Sequence, residues 1–317
     1  MRRQFGLHEA ALLTMLVALM VWAAITDRKF VEPHVQLELS RHVWELAILA
    51  LPMALVILTA GIDLSIGSAL ALSAVSLGML HRNGAPISVA IIGALLTGLV
   101  CGALNGLFVS RWNIHPLIVT LATLAAFRGI AEGVSHGESF SDFPEGFSKI
   151  GQGDWLGLPI PGWIFLILLG VTTVLLTKTK FGRVLKMIGL NELATTFSAI
   201  PVGRIKWMAY SLAGLSAGIA AVLMVSRQNT AKADLGLGIE LEVITAVVLG
   251  GVSIHGGKAT VPGLVLGILL IHELREFVTW HWQMSEVNLL MIGGMLILSV
   301  LLQRAFARGS RVESSPV

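Results

Sequence analysis

Charge is scarce in this chain. Asp, Glu, Lys and Arg make up 13% of its 317 residues, against about 25% in an average soluble protein. With 55% hydrophobic residues and a mean hydropathy of +0.82, too few charged side chains remain to cover a water-soluble surface. The apolar runs are also too long for the strands of a soluble α/β enzyme. Cysteine is nearly absent: Cys101 stands alone, which excludes an internal disulfide and a thiolate metal cluster. The net charge is only +3, and no basic tract marks a nucleic-acid partner.

What is present is long and apolar. A membrane-crossing helix needs about 20 mainly apolar residues, and ten segments qualify: 10–26, 43–60, 64–80, 86–110, 115–134, 160–177, 207–226, 241–254, 260–278 and 287–303. The chain therefore reads as an all-α, polytopic integral membrane protein of about ten transmembrane helices, some interrupted by glycine-rich breaks. Lys and Arg accumulate on the cytoplasmic side. Segment 178–206 holds Lys178, Lys180, Arg183, Lys186, Arg204 and Lys206 against the single acid Glu192. Placing it inside also puts both termini inside and 135–159 outside. Arg2-Arg3 and the VWAA stretch also fit a signal peptide, but the apolar run exceeds a usual signal core and favours a retained span. The expected organisation is one transmembrane domain over 1–311 and a disordered tail at 312–317.

Two motifs come close to enzyme signatures and miss. GGVSIHGGKATVPG, from Gly250, resembles a phosphate-binding loop, which needs Gly, four residues, Gly, Lys and a hydroxyl residue. Counted from Gly251 the lysine position is Gly257; counted back from Lys258 the first glycine is Val252, and Ala259 replaces the hydroxyl. HELRE, at 272–276, lacks the second histidine of a zinc-protease helix, because Glu276 stands in its place. A polar cluster at the outer end of a span, beside the belt aromatics Trp280 and Trp282, fits it better.

The glycines point elsewhere. In TAGIDLSIGS a carboxylate, Asp63, lies within an apolar region, and such groups face a cavity or a partner. Gly61 and Gly67 flank it and invite a broken helix, tolerated where the open backbone is buried in protein or lines water. Asp63 either caps the following helix beside Ser65 or lines a pathway. Ser253, Gly256 and Gly257 form a comparable break in the second half, and GIDLSIG and GVSIHGG align as a pair. Paired broken segments in two halves of a membrane protein point to a transport pathway. Elsewhere Gly98, Gly102 and Gly106, and Gly214 with Gly218, recur at helical spacing and allow close helix packing. Asn105 on that face reads as an interhelical hydrogen bond, and Arg128 as the ion-pair partner of Glu132. Asp63, Ser65, Gly67, Asn105, Arg128, Ser253, Gly256 and Gly257 are thus the candidate pathway or break residues.

FGRVLKMIGLNELATTFSAIPVGRIKW is too patterned for a bare connection. Leu190 to Ala194 reads as a short helix that Ile200-Pro201 ends. It either docks a cytoplasmic partner or lies on anionic lipid.

Taken together, LPMALVILTAGIDLSIGS, the AFRGI at 126–130, FGRVLKMIGLNELATTFSAIPVGRIK and ELEVITAVVLGGVSIHGGKATVPG resemble the permease subunits of binding-protein-dependent ABC importers for monosaccharides, the ribose, rhamnose and autoinducer-2 group. SAIPVGRIK, FPEGF and GLPIPGW look most like the rhamnose and autoinducer-2 branch, while Ala60 and Ala259 depart from its glycines. The resemblance implies a permease in the bacterial inner membrane that moves a neutral sugar or polyol. It implies a second permease in a homo- or heterodimer, a periplasmic or lipid-anchored sugar-binding protein, membrane lipid, and an ABC ATPase subunit or tandem ATPase. ATP and Mg would be bound by that ATPase, so the chain needs no cofactor of its own. The ATPase would dock on the loop carrying Gly182, Arg183, Gly189, Asn191, Glu192, Ala194, Ser198 and Pro201. A gradient-driven secondary transporter and an intramembrane enzyme are the alternatives from other classes.

Overall fold

A computed structural model describes residues 6–282, 287–288, 290–299 and 301. Arg2, Arg3 and the expected tail at 312–317 lie outside the described residues. Helix α1 (Leu7–Thr26) is followed by a short α2 (Pro33–Leu39) that runs through one 3-10 turn into α3 (Val43–Leu58). Then come α4 (Ile66–Arg82), α5 (Ile87–Arg111) and α6 (Pro116–Ser135). The next segment holds α7 (Glu145–Gln152) and a two-residue hairpin, β1 (Asp154–Trp155) with β2 (Leu158–Pro159). After α8 (Ile160–Lys178) the chain forms α9 (Lys180–Leu190) and α10 (Glu192–Phe197). It continues as α11 (Val202–Gln228), α12 (Ile239–Leu249) and α13 (Val261–Trp282), and α14 is the apolar helix Leu290–Ser299.

Among the described residues, each expected span overlaps a helix, though 241–254 runs past the end of α12 at Leu249 and part of 287–303 lies outside the described residues. Among the described residues, however, six helical stretches are long and apolar enough to cross a membrane by themselves, with Pro33–Leu58 counted as one. Helix α4 has 17 residues and α12 only 11, and α13 carries Glu273, Arg275 and Glu276. Helix length alone thus does not establish ten crossings. The short helices are those flanking the glycine breaks.

The core is built on α3, in which every residue from Glu45 to Leu58 is buried. A helix that is apolar all round belongs inside, and α8, α11, α12 and α13 surround this one. The closest crossing is between α5 and α11. A Cβ on Gly98 would strike the Gly214 carbonyl and the Gly218 nitrogen, and one on Gly102 would strike the Tyr210 carbonyl and the Gly214 nitrogen. The glycine spacing legible in the sequence is therefore a backbone-to-backbone contact.

At the end of the bundle remote from α9, polar contacts take over. Ser226 Oγ donates to the Phe147 carbonyl and accepts from the Gly151 N–H at 2.8 Å. Arg227 Nε pairs with Glu45 at 2.9 Å, and Arg41 joins Glu38 to Asp154. Arg82 hydrogen-bonds Glu138 in the connecting segment and holds its carboxyl below the usual range.

The glycine crossing makes a direct prediction. Gly102→Val should destabilise the protein by about 1–3 kcal/mol, because overpacking at a fixed backbone contact forces the helices apart. Gly129→Ala and Gly133→Ala, where an added methyl meets nothing within 4 Å, should leave the melting temperature in detergent unchanged or raised. Equal melting temperatures for all three variants would contradict the packing described.

Candidate functional site

Both glycine breaks begin in the same way. Helix α3 ends at Leu58; the Ala60 N–H then donates to the Ile57 carbonyl, and the Gly61 N–H to the Val56 carbonyl. Helix α12 ends at Leu249, followed by Gly251 N–H to Val248 and Val252 N–H to Val247. This double return is the Schellman cap, which requires a left-handed residue just past the helix. Those residues are Ala60, with φ +59°, and Gly251, with φ +86°. The matching positions are therefore offset by one from the alignment of GIDLSIG with GVSIHGG. Ala60 occupies a conformation that glycine adopts without strain.

Past the cap the first break turns inward. Asp63 Oδ1 accepts from the backbone N–H of Ser65 at 2.9 Å and from its hydroxyl at 2.7 Å, and Asn105 Nδ2 donates to Ser65 Oγ at 2.7 Å. All three residues are buried. Asp63 thus makes an Asx turn two residues on, rather than capping the second or third N–H of α4. Thr120 of α6 donates to the Ile62 carbonyl at 3.1 Å, so α4, α5 and α6 each hold this segment. Asn105 of α5 thus reaches the residue that precedes α4, and among the described residues its Oδ1 has no partner.

Gly67 and Arg128 meet the segment before α12. A Cβ on Gly67 would be 2.6 Å from the Gly236 carbonyl. Arg128 Nη1 donates to the carbonyls of Ala233 and, at 2.9 Å, Leu235. The expected Arg128–Glu132 ion pair does not form. Arg128 is half-buried and supplies donors to an irregular backbone, whereas Glu132 is exposed.

The second break docks on the end of α3. Ser253 N–H donates to the Lys258 carbonyl, Gly256 N–H to that of Ser253, and Gly257 N–H to that of Leu58 at 3.0 Å. Gly256 and Gly257 both have left-handed φ, +81° and +78°. Gly189, near the end of α9, presses into the same joint, where a Cβ would fall on the Leu58 oxygen and the Gly257 nitrogen. The candidate residues thus form two groups, joined through residues 59–65.

Segment 178–206 contains two short helices, not one. The sequence reading joined Leu190 to Ala194, but Asn191 is extended and its Oδ1 accepts from the Ala194 N–H at 2.9 Å. That N-cap closes α9 at Leu190 and starts α10 at Glu192. Gly182 lies against the backbone of Leu175 and Leu176, so α9 folds back on α8, while Arg183 is exposed. Ser198 Oγ bonds the Ala194 carbonyl, and Pro201 precedes α11. Leu190, Leu193 and Phe197 are 67%, 72% and 88% exposed. Glu192 is bound to Lys206 at 2.6 Å within the chain.

Sequence reading missed Tyr210, the only tyrosine. It is buried on α11, with its hydroxyl facing Gly61 and without a partner among the described residues. A lone tyrosine inside an apolar span was the available signal. The HELRE residues form ion pairs: Arg275 reaches Glu242 at 2.8 Å and Glu276 at 2.9 Å. Among the described residues no three His, Cys, Asp or Glu side chains are grouped to hold a metal.

Long apolar helices, with two glycine-rich breaks between helices, are the architecture of a multi-pass membrane protein. The chain belongs to the family described as "Branched-chain amino acid transport system / permease component", which matches residues 37–300. It is 35% identical over 307 residues to the "Autoinducer 2 import system permease protein LsrD" of Escherichia coli (strain K12), covering 95% of this chain and 93% of that protein. The same coverage holds for the proteins of that name from Shigella flexneri, at 35%, and Escherichia coli O157:H7, at 36%.

The break supports a double-mutant test. A Cβ on Gly61 would be 2.5 Å from the Tyr210 hydroxyl but 3.4 Å from its ring carbon. Gly61→Ala should therefore lower stability by about 1–3 kcal/mol, and Tyr210→Phe should restore most of the loss while costing little alone, since that hydroxyl has no partner. Additive melting-temperature shifts would contradict the contact.

Proposed function

We propose that the chain is the permease subunit of an ABC importer in the bacterial inner membrane, acting as one transmembrane domain over 1–311. Its solute is a small, neutral, sugar-like molecule of the autoinducer-2 kind. The family's description names branched-chain amino acids, whereas the relatives that share 95% of this chain are named for autoinducer 2. Similarity along nearly the whole length supports the second substrate class. Buried neutral groups at the first break, Ser65, Asn105 and Thr120, suit hydroxyl-rich solutes.

The observation that carries the mechanism is the joint at Leu58. Leu190 at the end of α9 forms an exposed apolar edge with Leu193 and Phe197 of α10, and Gly189 precedes it in α9. A partner ATPase, which binds ATP and Mg, docks on α10 within the loop 178–206. Its closure moves α9, and Gly189 passes that movement to the end of α3 and to Gly256–Gly257. Asp63, Ser65, Gly67, Asn105, Arg128 and Ser253 then line or shape the pathway that opens. Both termini face the cytoplasm in this reading. A sugar-binding protein delivers solute from the other side, and a second permease completes the assembly.

The test is uptake in proteoliposomes holding the permeases, the ATPase and the binding protein. Uptake should require ATP, and Leu193→Asp or Phe197→Asp should weaken ATPase association by about 30-fold, as loss of an interface hot spot does. Uptake driven by an ion gradient without ATPase would contradict the reading. Wild-type association of both variants would remove α10 as the docking element.

A further inference from the structure

The first turn of α1 is fastened to both sides of the second break. His8 Nε2 lies 3.0 Å from the carbonyl of Leu249, the last residue of α12. Carbonyls at a helix end need partners outside the helix. The Schellman cap serves Val247 and Val248, and Gly250 N–H serves Ala246; His8, as the Nε2–H tautomer, serves Leu249. Its ring sits against Gly251, where a Cβ would be 2.7 Å from Cδ2. One residue on, Glu9 Oε1 accepts from the hydroxyl of Thr260 at 2.7 Å, and Oε2 accepts from the Gly6 N–H at 2.8 Å. Thr260 immediately precedes α13, and its carbonyl accepts from Leu264 N–H. Glu9 is buried although it belongs to the first turn of a mostly exposed helix.

Two adjacent side chains thus tie the end of α12 to the start of α13. The far end of α1 is fixed as well, where Trp280 Nε1 donates to Asp27 at 2.9 Å and Trp22 packs on Phe277. The loop they span, 250–260, is the one whose Gly256 and Gly257 meet Leu58 and Gly189. Within the loop, Ser253 N–H donates to the Lys258 carbonyl and Gly256 N–H to that of Ser253.

We propose that His8 and Glu9 are positioning residues for transport, a clasp that holds the 250–260 break closed across α12 and α13. Movement of α9 then shifts the α3 joint instead of being lost in opening the loop. The transport part of this inference rests on the importer reading; the clasp itself does not.

The experiment separates the two. Val252 is buried inside the loop, so Val252→Cys on a Cys101→Ala background, in nanodiscs, reports opening by its rate of maleimide labelling. His8→Ala and Glu9→Ala should each raise that rate, together by about tenfold, the effect of losing one to two buried hydrogen bonds. His8→Gln, whose amide can still donate to Leu249, should label as slowly as the parent. In the reconstituted importer the alanine variants should hydrolyse ATP but import less solute per ATP, and His8→Gln should restore the ratio. Unchanged labelling in the alanine variants overturns the clasp, whether or not the assembly imports sugar. Faster labelling with an unchanged solute-to-ATP ratio overturns the positioning role. An assembly that shows no ATP-driven uptake even with the parent sequence defeats the importer reading instead, and the labelling result still decides the clasp.

Discussion

The carbonyl of Leu58 is the point on which the rest of the arrangement depends. Helix α3 is buried along its length, and no solvent reaches its C-terminal carbonyls to satisfy them. The cap at Ala60–Gly61 returns to Val56 and Ile57, and Leu58 is met by the N–H of Gly257. That bond forms only where two backbones approach without side chains between them. Glycine at 256 and 257 gives the left-handed turn, and glycine at 189 lets α9 enter the same space. Three segments distant in sequence therefore meet at one oxygen.

The two ends of the bundle are held by different physics. Near α9 the contacts are backbone against backbone, with side-chain hydrogen bonds through Asp63, Ser65 and Asn105. At the other end Arg227–Glu45, Arg41–Asp154 and Arg82–Glu138 fasten the connecting segment over the helix ends. Close-packed backbones pass on small displacements because they are not compressible. Exposed ion pairs such as Arg82–Glu138 are screened and contribute little to stability. In the proposed importer, an element that transmits motion would suit the first kind of end, and a surface that receives a soluble partner the second.

What could be read from the sequence was whatever repeats at helical spacing or breaks it. Gly98, Gly102 and Gly106, and Gly214 with Gly218, announced close packing, and the glycines around Asp63 and Ser253 announced two breaks. Pairings across the chain were not legible. Arg128 turns to the carbonyls of Ala233 and Leu235 instead of Glu132, because a local spacing rule ignores partners brought by the fold. The offset between the breaks was hidden for a related reason: alanine occupies the left-handed position at 60, so aligning glycines misplaces the cap. Asn191 was read into a helix that its side chain interrupts. The clasp at His8 and Glu9 had no sequence signal beyond two polar residues at the start of an apolar run.

Gly189→Ala probes the joint most directly, because it adds one methyl group at the Leu58 oxygen and leaves the exposed edge of α10 intact. The measurement is solute imported per ATP hydrolysed by the reconstituted assembly. The account predicts that the ATPase still binds and hydrolyses ATP, while the ratio falls several-fold below that of the parent protein. A variant that binds its ATPase and imports with the parent ratio would contradict the claim that Gly189, Gly257 and Leu58 carry the coupling.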